Sequence, residues 1–241
     1  MIKSRIAAAA ALLAATTGTA VGGNVSATVG LVSDYDFRGI SQTLNDPAFQ
    51  AGLTYTSDTG LYYGLWGSNV DFTSSDNDPG YPLDIDKPST EMDVFVGFSG
   101  EKVVGYDVGI IYYTYPNSGE LNYAEAYGSI SKGPATLKVW WAWNDFGGKG
   151  KKGAVYTEGN LNVPMNEGFS FLAHFGYTDA DKKRSVGNYL DWSLGVGYEA
   201  SNFELSLKWI DGSDLNTPLG QTRNLGRFVF GVTTTLPWDN E

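Results

Sequence analysis

The stretch Phe203-Glu204-Leu205-Ser206-Leu207-Lys208-Trp209-Ile210-Asp211 decides how this chain folds. Phe203, Leu205, Leu207 and Trp209 share one face of an extended segment; Glu204, Ser206 and Lys208 share the other. A period of two marks a strand with one apolar and one polar face. The rhythm continues outward from this stretch. Upstream, Trp192, Leu194, Val196 and Tyr198 alternate with Asp191, Ser193, Gly195 and Gly197. Farther back, Leu137, Val139, Trp141 and Trp143 oppose Thr136, Lys138, Trp140 and Ala142.

About twelve such segments are expected, at 25–33, 48–56, 61–71, 90–99, 103–115, 120–131, 134–144, 153–163, 168–177, 188–199, 202–210 and 226–236. An even number suits a bacterial outer-membrane barrel. The connections alternate too. Short turns fall at 57–60, 100–102, 132–133, 164–167 and 200–201, and mostly longer, more polar loops at 34–47, 72–89, 116–119, 145–152, 178–187 and 211–225. Short turns on one rim and long loops on the other are the habit of membrane barrels, whose short turns are periplasmic and long loops extracellular.

The first twenty residues read as a cleaved export signal. Lys3 and Arg5 are followed by an apolar run, Ile6 to Ala15, and by Gly18-Thr19-Ala20 as a cleavage site. Residues 21–241 then form one barrel domain. Ten apolar residues cannot span a bilayer core, which needs roughly twenty. Without the signal, 27 acids face 14 bases, a net charge of −13, so nucleic acid is not an expected partner. The chain has no cysteine, which excludes disulfides and thiol catalysis.

A soluble barrel or a sandwich alternates as well. Three features favour the membrane. The polar face is rich in Gly, Ser, Thr and Asn, unlike the Lys- and Glu-rich exterior of a soluble protein. Aromatics gather near segment ends, at Tyr62, Tyr63, Tyr112 to Tyr115, Trp141, Trp143, Tyr198 and Trp209, where interfacial girdles belong. Twelve strands also exceed the eight of a lipocalin.

Residues 25–72, VSATVGLVSDYDFRGISQTLNDPAFQAGLTYTSDTGLYYGLWGSNVDF, carry a more specific signal. Ser33-Asp34-Tyr35, Phe37-Arg38-Gly39-Ile40-Ser41-Gln42, Pro47-Ala48, Gly64-Leu65-Trp66 and the later Glu91-Met92-Asp93 resemble the TorF family of proteobacterial outer-membrane proteins, classed with the porins. The resemblance implies an outer-membrane barrel acting as a channel, with no known substrate and no catalytic residue. The C-terminus departs from the usual aromatic ending of such barrels. Phe228 and Phe230 alternate correctly, but the chain runs on to Glu241, with Trp238 standing in for the terminal aromatic.

With the apolar face toward lipid, the polar face supplies candidate pore-lining residues: Glu91, Asp93, Asp107, Glu125, Lys138, Glu158, His174, Asp191, Glu204, Lys208 and Arg227. Seven acids against three bases give a cation bias, as acidic rings do in pores; a salt-bridge ladder filling a closed barrel is the alternative. Arg38 is a candidate loop constriction residue, and a local pair with Asp34 or Asp36 is the simpler expectation. His174 is the only histidine. No serine motif of a hydrolase accompanies it, so a hydrogen-bonded lumen residue is expected and no catalytic residue is assigned. The acids Asp71, Asp76, Asp78, Asp84 and Asp86 lack EF-hand spacing and read as a solvated turn. The basic tips Lys149, Lys151, Lys152 and Lys182, Lys183, Arg184 read as solvated charge, with lipopolysaccharide phosphates as the alternative contact. No metal or cofactor motif is present.

The expectation is therefore a non-enzymatic, porin-like outer-membrane channel for small hydrophilic solutes or ions, with a weak cation preference. Its partners would be outer-membrane lipid, lipopolysaccharide, the barrel-assembly machinery and the solutes themselves. The alternative is a plugged structural or surface-binding barrel; an outer-membrane enzyme ranks third.

Overall fold

The computed structural model describes residues 23–72, 88–116, 118–143, 153–180, 188–213 and 226–238. The export signal, Asp76 to Asp86, both basic loop tips and Glu241 lie outside the described residues. Twelve long strands form one closed ring. They are β1 (Gly23–Val32), β4 (Ala48–Ser57), β5 (Leu61–Asn69), β6 (Thr90–Glu101), β7 (Gly105–Thr114), β8 (Tyr123–Lys132), β9 (Ala135–Ala142), β10 (Ala154–Pro164), β11 (Phe169–Asp179), β12 (Tyr189–Ala200), β13 (Phe203–Ser213) and β14 (Arg227–Leu236). Every pairing is antiparallel, and all but the closing one join strands that follow one another in the ring's chain order. The ring closes where β1 meets β14, from Ala27 opposite Leu236 to Val32 opposite Gly231. Closure leaves no unpaired sheet edge, which hydrocarbon requires. Each of the twelve alternating segments in the sequence corresponds to one of these strands.

Two further strands, β2 (Asp36–Phe37) and β3 (Ile40–Ser41), are not members of the ring and form a small hairpin in the first long connection.

The burial pattern is that of a molecule turned inside out. Val96 is 46% exposed and Phe228 68%, whereas Glu91, Glu125 and Asp191 are each 1% exposed. Cross-strand partners keep one face throughout: Glu158 pairs with Lys138 and Gly176, and Leu207 with Val196 and Phe230. An apolar exterior suits lipid, because a Lys or Arg there would cost about 2–4 kcal/mol at mid-bilayer. The charges are left to the lumen.

Three glycines owe their place to close packing in the lumen. The rings of Tyr62, Tyr127 and Tyr156 lie against Gly97, Gly109 and Gly176 on neighbouring strands. A Cβ at those glycines would sit 2.3, 2.4 and 2.1 Å from the respective phenol oxygens, closer than any real contact. A flat tyrosine over a glycine thickens the wall from inside without narrowing it as an upright ring would.

The aromatic girdle is smaller than the sequence suggests. Tyr63, Tyr112, Trp141 and Tyr198 are outward and exposed, and Trp209 packs edge-on against outward Phe228. Tyr62, Tyr113 and Tyr115 are instead buried, at 3%, 4% and 7% exposure. Successive residues of a strand point to opposite faces, so a run such as Tyr112-Tyr113 cannot place both rings in lipid. At the chain's end, Trp238 packs on Phe203 and donates its indole N–H to Thr234.

Candidate functional site

The site is built by the first long connection folding into the barrel. Arg38 and Gly39 form the two-residue turn of the β2–β3 hairpin, with φ of 54° and 81°. Positive φ at both central positions is the twist a two-residue hairpin needs. Backbone bonds from Gln42 N–H to Tyr35 C=O and from Asp71 N–H to Gln42 C=O, at 2.7 and 2.8 Å, fasten the connection. Asp34 accepts hydrogen bonds from the hydroxyls of Ser41 and Thr43 and stiffens the base of the hairpin.

The turn carries Arg38 to the lumen wall. Its Nη1 and Nη2 donate to Glu125 Oε1 and Oε2 at 2.9 and 2.6 Å. Its guanidinium carbon lies 4.4 Å from the Tyr156 ring centroid, 5.4 Å from Trp140 and 4.6 Å from Phe37. Tyr113 donates its phenol to Glu125 Oε2 at 3.2 Å. Burial opposes the guanidinium charge, but the Glu125 carboxylate outweighs it and holds Arg38 protonated, its pKa well above the usual range. The simpler expectation, a local pair between Arg38 and Asp34 or Asp36, is not what forms. Those acids are taken by Arg227 on β14: Nε donates to Asp34 Oδ2, Nη2 to Asp36 Oδ1, and Nη1 to the Gly39 carbonyl at 3.1 Å. A tight turn points Arg38 away from its own flank, and a cation from the opposite wall fills the gap. Burial raises the Asp36 pKa despite Arg227. It also raises that of the Tyr35 phenol, which stays neutral and donates to Glu91 Oε1 at 3.2 Å.

The network continues around the wall. Tyr62 donates to Asp107 and meets the Tyr127 hydroxyl. Lys138 Nζ sits 3.9 Å from Asp107 Oδ2 and 3.9 and 4.1 Å from the ring centroids of Tyr127 and Trp140. Glu158 receives Trp140 Nε1 at 2.7 Å and Asn160 Nδ2 at 2.9 Å. With its amide so oriented, Asn160 offers Oδ1 to His174 Nδ1 at 2.8 Å, while His174 Nε2 faces Asp191 Oδ1 at 2.7 Å. Tyr156 donates to Asp191 Oδ1 at 3.0 Å. Both imidazole nitrogens thus face oxygen partners, and Nε2 also lies 3.0 Å from the Tyr156 hydroxyl.

All eleven candidate lining residues therefore lie on the inward face. Glu91, Glu125, Tyr156 and Arg227 lie at the long-loop ends of their strands, where the first connection meets them. Glu204 lies near the short-turn end, opposite Glu199 and Thr233, with Lys208 between Gly195 and Val229. The inward hairpin and the ring partners Tyr113, Trp140 and Tyr156 were not assigned from sequence. The Arg38-Gly39 pair between Phe37 and Ile40 was the available signal. Among the described residues, no group of three or more His, Cys, Asp or Glu side chains is placed to hold a metal ion.

The profile of a bacterial protein family of unknown function, Gcw_chp, matches residues 16–233. No curated protein matches the chain. Among solved structures, a KdgM porin superposes with a TM-score of 0.55 at 8% identity, covering 87% of this chain and 98% of its own. A KdgM porin in complex with disordered oligogalacturonate gives 0.53 at 8% identity, over 87% of this chain and 97% of its own. A NanC porin gives 0.50 at 9% identity, over 88% and 98%. At such identities the likeness is one of fold.

Proposed function

The chain belongs to the Gcw_chp family of bacterial proteins, and from that premise we propose that it is an outer-membrane channel for passive diffusion of small hydrophilic solutes or ions. The observation that carries this reading is a closed twelve-strand ring with apolar side chains outside and a polar, charged wall within. The resemblance of residues 25–72 to the TorF family points the same way, as does a fold like that of KdgM and NanC porins.

The proposed preference is for cations. Seven acids and three bases line the strands. Carboxylates in excess of their partners attract mobile cations. The first connection, with Arg38 at its tip, acts as the constriction. His174 orients Asp191 and Asn160, and the reading is of transport rather than catalysis.

The inward hairpin also favours a second reading, a plugged barrel that binds a partner at the cell surface. Arg38 and Glu125 are 9% and 1% exposed, so the hairpin covers the wall at their level. Refolded mature protein in a planar bilayer under a salt gradient separates the two. Stepwise conductance with a cation-selective reversal potential is expected. A folded barrel that stays silent would remove the channel reading in favour of the plug.

A further inference from the structure

We propose that the seat now filled by Arg38 is a binding site for small guanidinium solutes, with Arg38 as its built-in occupant. This deepens the channel reading and rests on it for the solute's route to the seat.

The seat is made by four adjacent strands. Glu125 comes from β8, Tyr113 from β7, Trp140 from β9 and Tyr156 from β10. Trp140 and Tyr156 stand directly opposite one another across the β9–β10 pairing. Each group is held by a bond that does not involve Arg38. Trp140 donates to Glu158, Tyr156 to Asp191, and Tyr113 to Glu125. Each wall group therefore has an anchor that does not depend on the arginine. Lys138 already occupies the Trp140 face at 4.1 Å, but Asp107 stands 3.9 Å from it. That leaves Glu125 as the acid facing the seat.

The occupant comes on a turn rather than from the wall. Arg38 holds a left-handed φ of 54°, a conformation unusual for a side chain larger than Asn.

The chemistry of the seat selects a guanidinium over other cations. Two parallel bonds to one carboxylate match a planar fork, and the aromatic rings within cation–π range reward a flat, weakly hydrated cation. A compact ammonium makes only point contacts and holds its water more tightly.

The test compares agmatine with putrescine, dications that differ in one head group. Mature protein refolded in micelles is titrated calorimetrically as wild type, Arg38→Ala and Arg38→Ala/Glu125→Gln. Arg38→Ala is expected to bind agmatine at least about tenfold more tightly than putrescine, because only agmatine makes the fork. Wild type, with its seat filled, is expected to bind agmatine at least about tenfold more weakly than Arg38→Ala. Adding Glu125→Gln should abolish the difference between the two dications. Equal binding of both by Arg38→Ala, or agmatine binding that survives Glu125→Gln, overturns the proposal. If Arg38→Ala does not refold, Arg38→Gln keeps the stem without the fork and carries the same expectations. Bilayer current separates this site from the channel reading. Agmatine binding in micelles without conductance keeps the site and removes the channel; conductance without agmatine binding does the reverse.

Discussion

Arg38 and Glu125 are the residues on which the inner architecture turns. The pair is buried and bidentate, with side-chain exposures of 6% and 1%. Removing one partner strands a desolvated charge, which typically costs about 3–5 kcal/mol. Glu125→Ala is therefore expected to lower the unfolding midpoint substantially in lipid or micelles. Arg38→Met/Glu125→Met, which removes both charges, should recover most of that loss. Equal losses from the single and double variants would show that the pair is not the source. The tyrosine–glycine contacts make a second prediction at this scale. Gly109→Val puts a Cβ 2.4 Å from the Tyr127 hydroxyl and must displace the ring. Overpacking of this kind costs about 1–3 kcal/mol. In a Tyr127→Ala background the same substitution should be much milder, a coupling that a double-mutant cycle reads directly.

At the level of the strand, the two faces obey opposite rules. Val96 lies near the middle of β6, outward and 46% exposed. Val96→Arg is expected to destabilise the barrel by about 2–4 kcal/mol in bilayers, where the position meets hydrocarbon. The same charge at Ser129, inward on β8, should cost far less, since the lumen is polar. Unfolding titrations in vesicles compare the two; comparable losses would mean that the outward face does not meet lipid. Most of the twelve alternating segments were legible because one face is largely apolar; the pattern is weakest in 61–71 and 120–131, where both faces carry mixed residues. The β2–β3 hairpin was not legible, because two residues a side carry no period. Alternation also misled where both faces are aromatic, so Tyr62, Tyr113 and Tyr115 read as girdle although they line the interior.

For the molecule as a whole, the hairpin is tied to opposite walls, by Arg38 to β8 and by Arg227 from β14. Two anchors across the lumen make it a brace, and in the proposed channel its constriction. Arg38→Ala/Arg227→Ala releases both, and single-channel conductance is expected to rise severalfold over wild type. An unchanged conductance would mean that the narrowest passage lies elsewhere. The ion pairs behind this constriction join positions as far apart as Asp34 and Arg227, at the two ends of the barrel chain. Closure between β1 and β14 brings them together.

By itself, the sequence determined the strands, their faces, the alternation of short and long connections and hence the class of barrel. Each of these depends on a repeating local pattern, and a period of two does not need its neighbours to be recognised. Tertiary structure alone decided which charges meet. Arg38 has two acids within four residues of it in the chain, Asp34 and Asp36, yet pairs with Glu125, eighty-seven residues away. A left-handed turn aims its side chain across the lumen, and only the closed ring puts a carboxylate between aromatic walls there to receive it.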